Sequence, residues 1–239
     1  MKQMVKTLFL GLLLLFSTST AQAVTLAELF NGGSIVAGDK LFDRWSLDFY
    51  DASDAREFNP ANIEVEGLSD GGDYGLHFNV TNDELHVQGD GIYAYVDLTF
   101  GFRVSVMDPN WMITDASMAL MNGAYGWNPD GITDVGMFIM EKVGSAPGLD
   151  DLGDLSVEFS QLDDAQISDT LSTTFFAPKS EIWVTKNILL WAADDTDWAV
   201  LLGFDQRFSQ TQTVIPEPST IVLTLLGLAG LVVARKRRP

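Results

Sequence analysis

The 239-residue sequence contains no cysteine and only two histidines. Without a thiol, the chain cannot form a disulfide, a zinc–thiolate centre or a cysteine nucleophile. It also lacks the G-x-S-x-G elbow, the G-x-x-x-x-G-K-[ST] phosphate loop and the H-E-x-x-H zinc motif. We therefore predict that this protein is not an enzyme.

Lysine and arginine are also scarce, with 14 basic residues against 33 acidic ones and a formal net charge of −19 at pH 7. Two of the basic residues lie within 1–23 and four within 235–238, while Glu217 is the one acidic residue outside 24–213. Residues 24–213 therefore carry 8 basic and 32 acidic side chains, a net charge near −24. Such a surface repels nucleic acid, which we exclude as a partner, and favours cation binding.

Helical periodicity is missing from 24–213, apart from one turn predicted over Leu26–Phe30. Apolar and polar residues instead alternate, most clearly over Ala94–Val106, which predicts one strand or two strands joined at Gly101. Asp-, Gly-, Asn- and Pro-rich stretches separate these segments. We expect an all-β domain over 24–213, a two-sheet antiparallel sandwich of jelly-roll type, flanked by an N-terminal signal helix and a C-terminal hydrophobic helix.

The first 23 residues have the three parts of a secretory signal peptide. Lys2 and Lys6 form a basic start, an uncharged run follows over 8–16, and Ala21 and Ala23 occupy the positions that signal peptidase recognises. A core helix would show a polar face, and 8–16 shows none. We predict that signal peptidase removes 1–23 on export.

The last residues, 214–239, form a second three-part segment. Pro216, Glu217 and Pro218 come first, and the two prolines keep this stretch extended, as a protease requires. The apolar run 221–234 follows, about 21 Å long as a helix and just able to span a bilayer with its flanking residues. A basic cluster ends the segment and would stay in the cytoplasm: Arg235, Lys236, Arg237 and Arg238.

This order of motif, short apolar helix and basic cluster resembles the sorting tail of PEP-CTERM proteins, the substrates of the membrane protease exosortase in Gram-negative bacteria. The resemblance implies that the inner membrane holds the tail transiently, that exosortase removes it, and that the protein reaches the cell surface or extracellular matrix. An ordinary membrane anchor with a proline-rich linker is the alternative. Similar tails are sometimes labelled as ice-binding protein C-termini, but the sequence has no regular Thr-x-Thr array.

Parts of 24–213 also resemble a recurring group of secreted PEP-CTERM proteins. The matching pieces are 29–34 and 38–42 near the start and 184–188 and 206–210 near the end. That group has no agreed biochemical activity. The resemblance therefore supports the domain boundaries and implies no site residues.

The two histidines, His77 and His86, flank a predicted hairpin turn at 82–83. Paired strands would place both side chains on one polar face, where Glu84 or Asp90 could complete a metal site. The alternative is that both histidines are ordinary exposed polar residues.

Acidic loops are the better candidates for a metal. Ca²⁺ takes six to eight oxygen ligands from flexible, glycine-containing loops, but neither acidic loop has the spacing of the known calcium motif. We predict Ca²⁺ as a candidate cofactor; the alternative is a solvated surface. The candidate ligands form two loop clusters: Asp150, Asp151 and Asp154, and Asp194, Asp195 and Asp197.

Aromatic side chains in loops suit the binding of sugar rings. Tyr125 and Trp127 are the ligand candidates, in a stretch with a polar rim, although such residues also cap sandwich cores. Trp183 sits in an alternating segment and is predicted to lie in the core.

Three functions follow from these observations. The first is a secreted, non-catalytic protein of the cell surface or the exopolysaccharide (biofilm) matrix. The second is a Ca²⁺-assisted carbohydrate-binding module, and the third is a secreted glycan hydrolase whose paired carboxylates no spacing rule identifies. Signal peptidase and exosortase are the expected processing partners, and exopolysaccharide is a candidate ligand.

Overall fold

The computed structural model describes residues 23–70, 73–128 and 133–213. The predicted signal helix, the Pro216–Glu217–Pro218 motif, the apolar run and the basic cluster lie outside these residues. Within the part of the chain that the structure describes, no helix is long and apolar enough to cross a bilayer.

The described residues form an all-β domain of fifteen strands, one α-helix and one 3₁₀ turn at Pro60–Asn62. The helix, α1, covers Leu26–Phe30 as predicted and begins with a capping box, in which the Thr25 side chain and the Glu28 side chain satisfy each other's backbone N–H groups. The strands are β1 (Val24–Thr25), β2 (Ile35–Ala37), β3 (Lys40–Ala52), β4 (Ile63–Asp70), β5 (Asp73–Val80), β6 (His86–Gln88), β7 (Ala94–Val106), β8 (Trp111–Gly126), β9 (Asp134–Gly144), β10 (Gly153–Leu162), β11 (Ala165–Asp169), β12 (Leu171–Lys179), β13 (Glu181–Ala192), β14 (Trp198–Phe208) and β15 (Gln210–Gln212).

The strands form two sheets, and every described pairing is antiparallel. The first sheet has the order β1-β4-β5-β14-β8-β12, with β6 beside β14 and β15 beside β8. The second sheet has the order β11-β10-β9-β13-β7-β3-β2. Two antiparallel sheets confirm the predicted all-β class and are consistent with a sandwich.

An aromatic cluster fills the space between the sheets. The rings of Trp45 and Phe102, both from the second sheet, stack with centroids 4.5 Å apart, and those of Phe78 and Phe204 from the first sheet stack at 4.4 Å. Phe100 connects the two pairs, at 6.4 Å from Trp45 and 5.9 Å from Phe78. The alternation in β7 buries Phe100 and Phe102 on the same face, so β7 is one continuous strand through Gly101.

In the sequence of strand β3, Trp45, Leu47 and Phe49 alternate with more polar residues, which would place all three on one face, but the strand does not keep this alternation. Arg44 adopts a positive φ of 57°, and the register with β7 shifts between Asp43 and Ser46 and again between Leu47 and Phe49. These bulges insert extra residues, so the strand face reverses within β3. Trp45 is buried as the alternation predicts, whereas Leu47 and Phe49 are 45% and 50% exposed.

The predicted hairpin between the two histidines is wrong. Asn82 and Asp83 both have positive φ and form a turn, but β5 and β6 do not pair with each other. Both strands pair with β14, where His77 lies opposite Asp205 and His86 lies opposite Val200. Because the two histidines lie opposite different positions of β14, five residues apart, the metal site predicted at this turn is not assembled.

Candidate functional site

The outward side of the second sheet is a wide surface of aromatic and polar side chains. Alternation in β13 buries Ile182, Val184 and their even-numbered neighbours and turns the odd-numbered residues away from the core. The register with β7 and β9 places the outward residues of three strands side by side. This surface, called the outer face here, consists of Trp183, Thr185, Asn187, Leu189 and Trp191 of β13, Tyr95, Asp97, Thr99 and Arg103 of β7, and Phe138, Met140 and Lys142 of β9.

The prediction that Trp183 lies in the core is therefore wrong. Trp183 and Trp191 are both half-buried residues of the outer face. They are separated by eight residues of one strand, which corresponds to about 27 Å at about 3.4 Å per residue. Two indoles thus mark the two ends of the outer face.

A cleft of about 440 Å³ lies at the Trp183 end. Its walls include Asp48 of β3, Lys142 of β9 and the loop residues 147–149. Gly101 forms part of the floor, and a Cβ there would lie 3.1 Å from the Val184 carbonyl oxygen and 3.4 Å from an Asp48 carboxylate oxygen. The absence of a side chain at Gly101 therefore deepens the cleft between an indole and a carboxylate.

A second pocket, of about 230 Å³, lies at the Trp191 end. Trp191 Nε1 donates a 2.6 Å hydrogen bond to Asp134 Oδ1, which holds the indole in one orientation. Tyr93, Phe138 and Glu158 complete the pocket together with Leu189. The pocket combines aromatic carbons with carboxylate acceptors.

Hydrogen bonds fix the polar side chains between the two pockets. Asn187 Nδ2 donates to Asp97 Oδ1 at 2.6 Å and to Thr99 Oγ1 at 2.9 Å. The Tyr95 hydroxyl donates a hydrogen bond to Asp51 Oδ2, with the two oxygens 2.6 Å apart, and this bond raises the pKa of the Tyr95 hydroxyl. These side chains are ordered before any ligand arrives.

A second hydrogen-bond network lies beside Trp183, at the same end of the outer face as the cleft. Arg103 binds the Asp43 carboxylate through two nitrogens, each at 2.8 Å, and Glu181 through a third at 2.9 Å. The hydrogen bond to Asp43 raises the pKa of the Arg103 guanidinium above its ordinary value. This cation is neutralised within the sheet, so the outer face as a whole offers more hydrogen-bond acceptors than free positive charge.

The two aromatic residues predicted as ligand contacts lie elsewhere, where β8 meets β10. The Tyr125 ring packs against Phe159, with centroids 4.6 Å apart, and its hydroxyl donates to the Ser160 carbonyl at 3.3 Å. Trp127 is 44% exposed and lies 5.7 Å from Tyr125. Tyr125 thus connects the two sheets, and neither residue joins the outer face.

The first predicted calcium cluster is engaged in contacts of its own loop. Asp151 accepts hydrogen bonds from the Ser145 backbone at 2.8 Å and the Ser145 hydroxyl at 2.7 Å, which lower the pKa of Asp151. Asp150 pairs with Lys142 at 3.2 Å. Asp154 lies directly opposite Lys142 in the β9–β10 register.

The second predicted calcium cluster closes a turn. Asp197 is fully buried and accepts from the backbone of Asn128 at 3.0 Å. Asp194 accepts from the Thr196 backbone at 3.1 Å, which lowers the pKa of Asp194, and the contact with Asp194 raises the pKa of Asp195. Among residues 23–70, 73–128 and 133–213, no three or more acidic or histidine side chains are arranged to hold a metal ion.

Comparison with known proteins identifies the C-terminal segment. A family model described as the PEP-CTERM protein-sorting motif matches residues 214–238. This motif implies export and sorting to the cell surface by exosortase. The chain thus carries the PEP-CTERM sorting motif that the sequence of its tail predicts.

Comparisons of the rest of the chain are less specific. No curated protein matches. One similar solved structure is TmCBM61 in complex with β-1,4-galactotriose, with 13% identity, coverage of 71% of this chain and 88% of that one, and a TM-score of 0.25. Another is the endoglucanase 3 of Trichoderma harzianum from family GH12, with 9% identity, coverage of 70% and 97%, and a TM-score of 0.26. These similarities are too low to transfer either protein's activity to this chain.

Proposed function

We propose that this protein is a non-catalytic component of the cell surface or exopolysaccharide matrix, and that its outer face binds an uncharged polysaccharide. The observation that carries this proposal is the pair of indoles, Trp183 and Trp191, on one exposed sheet face with ordered polar side chains between them. Indole faces suit stacking on sugar rings, and carboxylates accept hydrogen bonds from sugar hydroxyls. The net charge near −24 disfavours a polyanionic glycan.

The route to the surface forms part of the same proposal. Signal peptidase removes 1–23, the apolar run 221–234 holds the chain in the inner membrane, and exosortase cleaves near Pro216–Glu217–Pro218. We further propose that the two sheets form a sandwich of jelly-roll type, an arrangement that leaves one sheet face free for a ligand.

Affinity gel electrophoresis with a panel of neutral polysaccharides tests the binding surface. We expect Trp183→Ala and Trp191→Ala each to weaken binding about tenfold or more, because each removes a stacking platform and about 1.4 kcal/mol is tenfold in affinity. Phe175→Ala is the matched control, since Phe175 is 76% exposed on the first sheet. If the polysaccharide retards all variants as much as the wild-type protein, the outer face is not the binding surface.

The absence of catalysis is tested in the same samples. We expect no release of reducing sugar ends from any bound polysaccharide. Turnover that is abolished by Asp134→Asn or Glu158→Gln, the carboxylates of the second pocket, would instead support the hydrolase alternative.

Calcium assistance is a separate proposal based on the composition of the two acidic loops. Ca²⁺ binding to the folded state would raise the melting temperature in a concentration-dependent way. An unchanged melting temperature on adding Ca²⁺ or a chelator would argue against it.

A further inference from the structure

Three polar side chains are fully buried between the two sheets. Glu141 projects from β9, Lys186 from β13 and Gln206 from β14, and each has 0% exposure. Lys186 Nζ donates to Glu141 Oε2 at 2.5 Å and to Gln206 Oε1 at 2.9 Å, while Gln206 Nε2 donates to Glu141 Oε1 at 3.0 Å. The three groups therefore form a closed ring of hydrogen bonds on the core side of the second sheet, opposite to the outer face.

The surroundings of this triad are apolar. Lys186 Nζ lies 3.4 Å from the Met118 sulfur and 5.2 Å from the centroid of the Phe204 ring. Burial of a lysine and a glutamate in such a place is costly, and apolar residues of similar volume would often serve stability as well. Packing alone therefore does not account for these three residue types in contact.

Burial also changes the protonation of the pair. Desolvation lowers the pKa of Lys186 and raises the pKa of Glu141, and their mutual attraction only partly opposes this. Both shifts favour the neutral amine beside the neutral carboxylic acid. A neutral, desolvated lysine amine is a nucleophile.

We propose that Lys186 and Gln206 form an intramolecular isopeptide bond with the help of Glu141. Lys186 Nζ is joined to Gln206 Cδ, and one molecule of ammonia is released. The Lys186 nitrogen lies 2.9 Å from the Gln206 carbonyl oxygen, and the carbon under attack is bonded to that oxygen. This contact is a hydrogen bond to the oxygen, so Lys186 Nζ has to turn from that oxygen to the adjacent Cδ, a short movement between groups that the fold already holds together.

Glu141 is placed to move the proton that the reaction requires. Its Oε2 faces the attacking amine and its Oε1 faces the leaving amide nitrogen. The neutral amine attacks Cδ, the carboxylic acid donates its proton to Gln206 Nε2 as the C–N bond breaks, and the carboxylate takes a proton from Lys186 Nζ. The products are a secondary amide, ammonia and a regenerated Glu141 acid, so no oxidant or co-reactant is needed.

The bond would connect the two sheets covalently, because β13 belongs to the second sheet and β14 to the first. The chain has no cysteine and cannot form disulfides. An amide cross-link in the core supplies the same restriction of the unfolded chain without a thiol.

Peptide mapping of the protein purified from its own cells tests the proposal. Trypsin cleaves an unmodified chain after Lys179, Lys186 and Arg207, which gives the separate peptides 180–186 and 187–207. An isopeptide bond blocks cleavage at Lys186, so we expect one peptide, 180–207, lighter than its sequence mass by one ammonia. Further cleavage before Asp194, Asp195 and Asp197 would leave the piece that contains Lys186 still joined to the piece that contains Gln206. Recovery of 180–186 and 187–207 at full mass would overturn the proposal.

Variants expressed in the same cells identify the residues responsible. Glu141→Gln is expected to give the two separate peptides, since the amide cannot relay the proton. The matched control Glu64→Gln, a half-buried glutamate of the first sheet that bonds Asn79, is expected to keep the single peptide. If the Glu141→Gln protein does not accumulate in the cells, the peptide map of the wild-type protein still tests whether the isopeptide bond forms. A single light peptide in Glu141→Gln would refute the role of Glu141.

Discussion

At the scale of single residues, the carboxylates of this acidic domain are largely occupied by partners within the fold. Asp43 binds Arg103, Asp134 orients Trp191, and Asp151 holds the backbone of Ser145. Sequence composition identifies such residues as acidic but does not show whether they hold loops, orient aromatic rings or wait for a cation. In the structure, Asp43 forms an ion pair within the sheet, Asp134 orients an aromatic ring and Asp151 holds a loop.

Asp151 provides a pH prediction. Its folded-state pKa is lowered by the Ser145 hydrogen bonds, so its contribution to stability is present above the unfolded pKa and is lost as pH falls through the folded one. Between about pH 5 and pH 2, we expect wild type to lose more free energy of unfolding than Asp151→Asn does. Urea unfolding at several pH values measures this. Asp169→Asn, on the exposed strand β11, is the control, and equal losses in Asp151→Asn and wild type would contradict the assignment.

At the scale of elements, the bulge in β3 is set by a backbone conformation that arginine adopts unfavourably. Arg44 has a φ of 57°, in the left-handed region where glycine has no Cβ penalty. This bulge lets β3 bury both Phe42 and Trp45, which are three residues apart.

We predict that Arg44→Gly stabilises the domain by about 1 kcal/mol, because the relief of strain exceeds the extra entropy of the unfolded chain. Ser46→Gly, in an extended part of the same strand, should instead destabilise by about 0.5–1 kcal/mol. Chemical denaturation measures both. A loss of stability in Arg44→Gly would show that the arginine side chain itself holds the bulge.

Elements with one fully buried face were predictable from the sequence. The alternating segment Ala94–Val106 is a strand with the predicted bounds, since alternation reports burial directly. Strand β11 is exposed at every residue and gave no such signal. In β3, bulges reversed a correct period, which hydrophobicity alone does not reveal.

To find the outer face from the sequence, one has to decide which of two similar faces of β13 is buried in the core. One face carries Ile182, Val184, Ile188 and Leu190 but is interrupted by Lys186, while the other carries two tryptophans and a leucine. Both faces are hydrophobic enough to be buried, so Trp183 was predicted on the wrong one. A buried lysine that finds its partners on other strands is a tertiary feature without a local sequence signal.

At the scale of the whole molecule, the charge near −24 over 24–213 sets the response to salt. Like charges repel across a compact surface, and at about 0.15 M ionic strength salt largely screens the repulsion between exposed charges more than about 8 Å apart. We therefore expect the melting temperature to rise between about 0.01 M and 0.15 M NaCl, as followed by circular dichroism. A fall in melting temperature would mean that the internal ion pairs, such as Arg103 with Asp43, outweigh the repulsion.

In the proposed function, the sorting tail delivers the domain to the cell surface and the outer face keeps it in the matrix. The direct measurement is the fraction of protein that stays with the exopolysaccharide when cells of the native organism are washed and the medium is collected. We predict that wild type and Phe175→Ala, with residues 1–23 and the tail removed, remain with the polysaccharide, whereas the double variant Trp183→Ala/Trp191→Ala moves into the medium. A double variant retained as fully as wild type would contradict the account.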